Sequence, residues 1–309
     1  MFVFAASDKG GTGRSVTSSN ILYRSALQGN DVCYVDFDFG SPTSGAIFGI
    51  ERAENGTTRG GGLHQYFLGE TARPERIDIW AETERPSVRN RVPGAGRLIL
   101  LPGDNGGSDF TSAGSREASR YNLCRDLILR LNEEFALVLV DLSAGRNWAV
   151  DMVLTATAMP ELRNLSSRWL VFHRWTKQHV VAAGGLVNGA RGLVESAVKA
   201  GHDRESFADN LRYVRTAVID ATSANRRSLT AKQGVWLTEC DKRLQTLAGR
   251  RQVGRNLLLG AVPLDPMLQW QEQLITDDDV GNGIANQETR NAFDSLAKRI
   301  VDDTAWETL

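Results

Sequence analysis

A chain of 309 residues with 41% hydrophobic content can bury a substantial core, as one large domain or two modest ones. Its formal net charge of −1 excludes a global electrostatic footprint for nucleic acid or an acidic membrane. No run of about twenty apolar residues could span a bilayer, and the N-terminal apolar run is too short for a signal peptide. Cys33, Cys124 and Cys240 are isolated and odd in number, matching neither a disulfide framework nor a C-x-x-C metal site, so small buried hydrophobes is their simplest reading. Together these features point to a soluble, cytoplasmic protein.

Phe2 to Ala6 reads as a buried strand with turn chemistry directly after it. Ser7-Asp8-Lys9-Gly10-Gly11-Thr12-Gly13-Arg14-Ser15 follows, then Val16 to Leu27 at helical spacing. Strand, glycine-rich loop and helix form the setting in which backbone N–H groups turn inward around an anion, aided by the helix N-terminus. The alternative is a glycine-rich turn that only caps the helix. Asp31 to Asp38 gives a second strand ending in two carboxylates, Asp36 and Asp38, which alternation puts on the same face. Residues 51–62 read as a surface loop, Leu63 to Leu68 as a short helix, and 70–96 mostly as loop with a weak strand near Ile77–Ile79. Arg97 to Leu101 is a strand stopped by Pro102-Gly103, and 116–134 an amphipathic helix. Ala136 to Asp141 is an apolar strand ending in a carboxylate. Trp169 to Phe172, Tyr213 to Val218 and Leu257 to Val262 supply further strands; helices are expected over Thr176–Lys199, 223–250 and 288–302. Apolar strands alternating with helices predict an α/β fold, a mainly parallel sheet with helices on both faces, in a single domain over residues 1–309.

Ligands of such sheets gather at the carboxyl ends of the strands. A Ser at position 15 could place its hydroxyl on Mg²⁺, and Asp141 has the form of a carboxylate that holds a water of the metal's shell. Asp141 capping a loop, and Asp38 pairing with a nearby Lys or Arg, are the plainer alternatives. The strict P-loop pattern G-x-x-x-x-G-K-[ST] fails at Asp8 and Arg14, whereas K-G-G-x-G-K-[ST] fails only at Arg14.

Lys9 to Ser15 therefore resembles the deviant Walker A loop of the ParA/MinD family of ATPases, and Asp36/Asp38 and Asp141 follow in the family's order. The resemblance implies a P-loop NTPase fold that binds ATP with Mg²⁺, forms an ATP-gated sandwich homodimer, hydrolyses ATP slowly, and positions or partitions a cargo or protein partner. It implies that Lys9, Gly10, Gly11, Thr12, Gly13, Arg14, Ser15 and Val16 hold the nucleotide, with Lys9 reaching the partner subunit's nucleotide. It implies Ser15, Asp38 and Asp141 as metal residues, Asp38 also polarising the attacking water. Gly145 matches the γ-phosphate switch, although Leu142-Ser143-Ala144 stand where the family usually has prolines. Pro263, in Leu258 to Asp265, matches the loop beside the base, while Thr216 to Thr222 lacks the usual base-reading Asn.

Arg14 keeps the charge of the family's lysine, but guanidinium is wider, planar and bidentate. A nucleotide-binding scaffold with weak or no hydrolysis is thus a second reading, since small misplacements cost large factors in rate. A Rossmann dehydrogenase is a third: Gly11-x-Gly13 and Asp36 imitate part of the dinucleotide fingerprint, but leave Lys9, Ser15 and Asp141 without a role. His173-Arg174-Trp175 reads as a partner contact or, more simply, as a strand-end His with a buried Trp. The 290–309 tail has Phe293, Leu296, Ile300 and Val301 on one side, yet its acids argue against membrane binding. Arg226, Arg227, Lys232, Arg243, Arg250, Arg251 and Arg255 leave non-specific DNA binding open, or form a solvated helical face.

Overall fold

The computed structural model describes residues 1–58, 60–107, 110, 117–219 and 230–307. Eight strands form one sheet: β1 (Phe2–Ala6), β2 (Val32–Phe37), β3 (Ile77–Asp78), β4 (Leu98–Leu101), β5 (Leu137–Leu142), β6 (Ser167–Arg174), β7 (Leu211–Val218) and β8 (Leu258–Pro263). Their order is β3-β4-β2-β5-β1-β6-β7-β8, parallel throughout except for the two-residue edge strand β3. Every residue of β1, β2, β4 and β5 is buried, as expected where helices cover both faces.

Alternation along the strands divides the core into two layers. Phe2, Phe4, Val35, Val138 and Trp169 pack with Leu127, Leu131, Met152, Val180 and Leu193, from the helices Glu117–Glu134, Trp148–Thr157, Lys177–Asn188 and Leu193–Ala200. On the other face Val3, Ala5, Tyr34, Leu139 and Phe172 meet Ile21 and Leu22 of α1 (Arg14–Leu27) and Phe293 and Leu296 of the Gln287–Val301 helix. The apolar side of the C-terminal segment is thereby spent inside the protein: Phe293 and Ile300 are fully buried, while Val301 is exposed. Among the described residues no helix is long and apolar enough to cross a membrane.

The structure departs from the sequence expectations in several places. The helix expected over Thr176–Lys199 is two helices, because Gly189–Gly192 makes a turn in which a Cβ on Gly192 would lie 2.4 Å from the Val187 carbonyl oxygen. Trp148–Thr157 is a helix the sequence reading did not assign; Asn147 caps it, its Oδ1 accepting the Val150 N–H at 3.1 Å. Residues 70–96 hold the short helices Ile79–Glu82 and Pro86–Arg89. Of the helix expected over 223–250, Ala231–Arg250 is observed, capped by a Thr230/Gln233 box, and positions 223–229, including Arg226 and Arg227, lie outside the described residues. Cys33 and Cys124 are buried free thiols, and Cys240 is half-buried.

The C-terminal helix is expected to be integral to the core. Phe293→Ala should lower unfolding free energy by about 3–5 kcal/mol in urea titrations. A loss below about 1 kcal/mol would mean that this helix contributes little to the cooperative core.

Candidate functional site

The chain leaves β1 at Ala6 and crosses the carboxyl ends of the strands as the loop 7–13 before entering α1. Gly11 and Gly13 take positive φ, +69° and +72°, which L side chains rarely adopt. Gly13 is also the residue before the helix, and its carbonyl accepts the Thr17 N–H at 2.9 Å. On the far side of the loop, Thr216 of β7 donates its hydroxyl to the Thr12 carbonyl. Loop and α1 N-terminus border a cavity of about 250 Å³ whose opposite wall is Val262, Pro263, Asp265 and Trp270, with Arg174 and Ala217 at the strand ends. Ala217 has φ +50°, where the β7–β8 pairing is irregular. Such backbone strain concentrates at binding sites.

Beneath the loop, parallel register sets Asp36 of β2 beside Asp141 of β5, with Asp38 just past the end of β2. Arg14, the first residue of α1, points into this acidic group and is 6% exposed. Its Nε donates to Asp141 Oδ1, its Nη1 to Ser7 Oγ at 3.2 Å, and its Nη2 to Asp38 Oδ2 at 3.2 Å and Ser15 Oγ at 3.4 Å. The second oxygen of Asp141 accepts the Tyr34 hydroxyl at 2.6 Å, and Asp38 Oδ1 accepts the Ser143 hydroxyl at 3.0 Å. Asp36 is turned to the backbone, accepting the N–H groups of Asp38 and Ser44.

Electrostatics follow from burial. Desolvation disfavours charge on Arg14, but Asp141 and Asp38 outweigh it and hold the guanidinium proton more tightly than usual. Burial, with Asp141 alongside, pushes the Asp36 carboxyl up to about 7. Burial also raises Asp38, against the pull of Arg14.

The structure thus brings four of the residues singled out in the sequence, Arg14, Ser15, Asp38 and Asp141, into one hydrogen-bonded cluster. Gly11, Thr12, Gly13, Val16 and Pro263 line the adjacent cavity, with Gly10 exposed at the rim. Lys9 lies apart, beside a shallow hollow with Lys177 and Val181. The Gly145 N–H donates to the Ser7 carbonyl at 2.7 Å, so its amide is engaged within the fold. Tyr34, Ser7 and Ser143 were not picked out from the sequence. Tyr34 precedes Asp36 by two positions on a strand, so alternation puts it on the carboxylate face.

His173 is a core residue, 1% exposed, and burial lowers its pKa to about 4. The Trp175 ring lies 3.6 Å from the Arg215 guanidinium, and its Nε1 donates to Asp241.

A divalent metal at Ser15, Asp38 and Asp141 would meet oxygens that one guanidinium, Tyr34 and Ser143 already occupy. The residues as placed do not fit an octahedral ion with oxygen ligands at about 2.0–2.1 Å. Among the described residues no group of three or more His, Cys, Asp and Glu is arranged to hold a metal.

No protein-family model matches the sequence, and no curated protein matches it. Solved structures do share the fold. The septum site-determining protein MinD of Pyrococcus horikoshii OT3, complexed with Mg-ADP, is similar with a TM-score of 0.55 and 13% identity over 100% of this chain and 99% of that one. The MinD cell division protein of Aquifex aeolicus gives 0.57 and 16% over 97% and 96%, and apo McdA from Cyanthece 0.57 and 14% over 96% and 98%. The chain has the P-loop NTPase fold of the ParA/MinD ATPases. A dinucleotide-binding fold would pair β1 directly with β2, whereas here β5 lies between them, so the dehydrogenase reading is set aside.

Two outcomes are expected. Arg14→Ala strands buried carboxylates without their cation and should cost about 3–5 kcal/mol of unfolding free energy; a loss under about 1 kcal/mol would mean the cluster is solvated. Asp36 holds a proton when folded that the unfolded chain, with a pKa of 3.8, releases, so its contribution to stability is lost as pH rises through about 7. Asp36→Asn removes that loss. Urea midpoints measured from pH 5 to 8 should shift in favour of the variant as pH rises, and parallel curves would contradict the raised pKa.

Proposed function

We propose that this chain is a nucleotide-binding positioning protein of the ParA/MinD kind, in which bound ATP gates a homodimer and the dimer engages a protein partner or cargo. The observation that carries the reading is the loop 7–13 opening, with the α1 N-terminus, onto the cavity bounded by Pro263 and Trp270. Backbone N–H groups of residues 10–15 and the positive end of α1 would hold the phosphates. Val262 and Pro263 would face the base, and Gln269, Gln271 and Glu272 at the same cavity offer it polar edges.

Lys9, beside the separate hollow with Lys177 and Val181, is assigned to the partner subunit's nucleotide. Gly145 would sense the γ-phosphate only after its amide leaves the Ser7 carbonyl, which couples nucleotide to movement of the loop after β5. Asp38 is assigned to the attacking water. Its engagement with Arg14 and Ser143 favours the second reading within this class, a switch whose hydrolysis is slow or lost. Lys232, Arg250 and Arg251 are exposed on or just beyond the Ala231–Arg250 helix, and Arg243 pairs there with Glu239; non-specific DNA is one surface this face could take.

The test is light-scattering mass of the purified chain with no nucleotide, ADP or ATP, with phosphate release followed on the same samples. A dimer formed only with ATP, with slow or no release, is expected, and Lys9→Ala should remain monomeric while still binding ATP. A chain that stays monomeric at every concentration under saturating ATP would overturn the proposal.

A further inference from the structure

We infer that Arg14 is the resident cation of this site, doing for Asp38, Asp141 and Ser15 what a divalent metal does in a metal-dependent P-loop, so that a nucleoside triphosphate binds here without a divalent ion. The inference rests on the nucleotide reading above.

The geometry is that of an occupied cation position. A guanidinium has five N–H donors in a rigid fork, and four of them are committed to Asp141, Ser7, Asp38 and Ser15. The three side chains that the family resemblance would give to a metal are all among these four partners. Both oxygens of Asp141 are taken, the second by Tyr34, and both oxygens of Asp38 are taken, the second by Ser143. A lysine could not do this. Its ammonium is a compact point charge, whereas the planar fork spans from the end of β5 to the residue past β2 and keeps its charge at any working pH.

Burial makes the arrangement durable. Arg14 and Asp141 are both nearly inaccessible, at 6% and 2% exposure, so water neither screens the pair nor competes for its hydrogen bonds. Tyr34 and Asp36 enclose the cluster from the strand below, and the Ser143–Asp38 contact closes it from the loop after β5. A divalent ion entering here would have to compete with the guanidinium for two carboxylates, each of whose oxygens already accepts a hydrogen bond. A triphosphate has no such conflict, because the loop and the α1 N-terminus face the cavity, whose lining includes neither Asp38 nor Asp141. Arg14 therefore holds the carboxylates neutralised while the loop takes the phosphates.

The test measures ATP binding to the full chain by isothermal titration calorimetry in EDTA and in excess Mg²⁺. The dissociation constants are expected to agree within about fivefold. Weakening in EDTA by more than about fivefold would overturn the inference and leave the nucleotide reading standing. Absence of ATP binding in both buffers would instead show that the nucleotide reading has failed, and this inference with it. Arg14→Lys supplies the second arm: its ammonium cannot occupy the fork's positions, so ATP affinity should become metal-dependent, falling about tenfold or more in EDTA. A folded Arg14→Lys chain that binds ATP equally in both buffers would overturn the assignment of the cation role to Arg14. Should that variant not fold, the wild-type comparison decides alone.

Discussion

Three carboxylates converge where β2 and β5 end, two of them largely shut away from water, and a single guanidinium pairs with Asp38 and Asp141. The convergence is a consequence of register: parallel pairing sets Asp36 opposite Asp141, and the chain past β2 carries Asp38 to the same place. Isolated buried carboxylates would force protonation or unfolding. Asp36 takes the first course in part, holding a proton up to about pH 7, while Asp38 and Asp141 take Arg14. Because Arg14 is the first residue of α1, the ion pair also fixes where that helix begins, and hence where the glycine loop must turn. Gly11 and Gly13 allow the turn through positive φ.

The same cluster links the loops that would have to move in a switch. Ser7 touches Arg14 through its hydroxyl and Gly145 through its carbonyl, so the loop after β1 and the loop after β5 share one residue. Arg146 adds a second tie, donating to Asp8 and to the Gly185 carbonyl of the Lys177–Asn188 helix. An anion drawn to the glycine loop would therefore be felt at Gly145 through a path of two hydrogen bonds. The sheet beneath is rigid by comparison, since both of its faces are packed and the central strands are buried throughout.

Much of this was legible in the sequence because the determining signals are local. Continuous apolar runs ending in Asp mark buried parallel strands, and Lys9 to Ser15 carries its strand–loop–helix context within fifteen residues. What escaped depends on contacts between distant segments. Arg14 reads in one dimension as a substitute for a phosphate-binding lysine; only the placement of β2 and β5 on either side of its reach turns it toward carboxylates. Tyr34 and Ser143 matter through what they hold: alternation puts Tyr34 on the carboxylate face, but only the pairing of β2 with β5 brings it to Asp141. Resemblance placed Leu258 to Asp265 beside the loop, but Trp270, at the same cavity wall, carried no signal of its own and lies some 260 positions from Gly11. The Trp148–Thr157 helix was missed although Asn147 offers a plain cap, because its nearly all-apolar composition shows no polar face to give it a period.

The most direct test of Arg14's central place is a crystal structure grown with a non-hydrolysable ATP analogue and Mn²⁺, with anomalous scattering used to locate the metal. A triphosphate on the glycine loop, Arg14 still bonded to Asp141 and Asp38, and no anomalous peak among Ser15, Asp38 and Asp141 is the expected result. A peak at those three side chains with Arg14 swung away would contradict it.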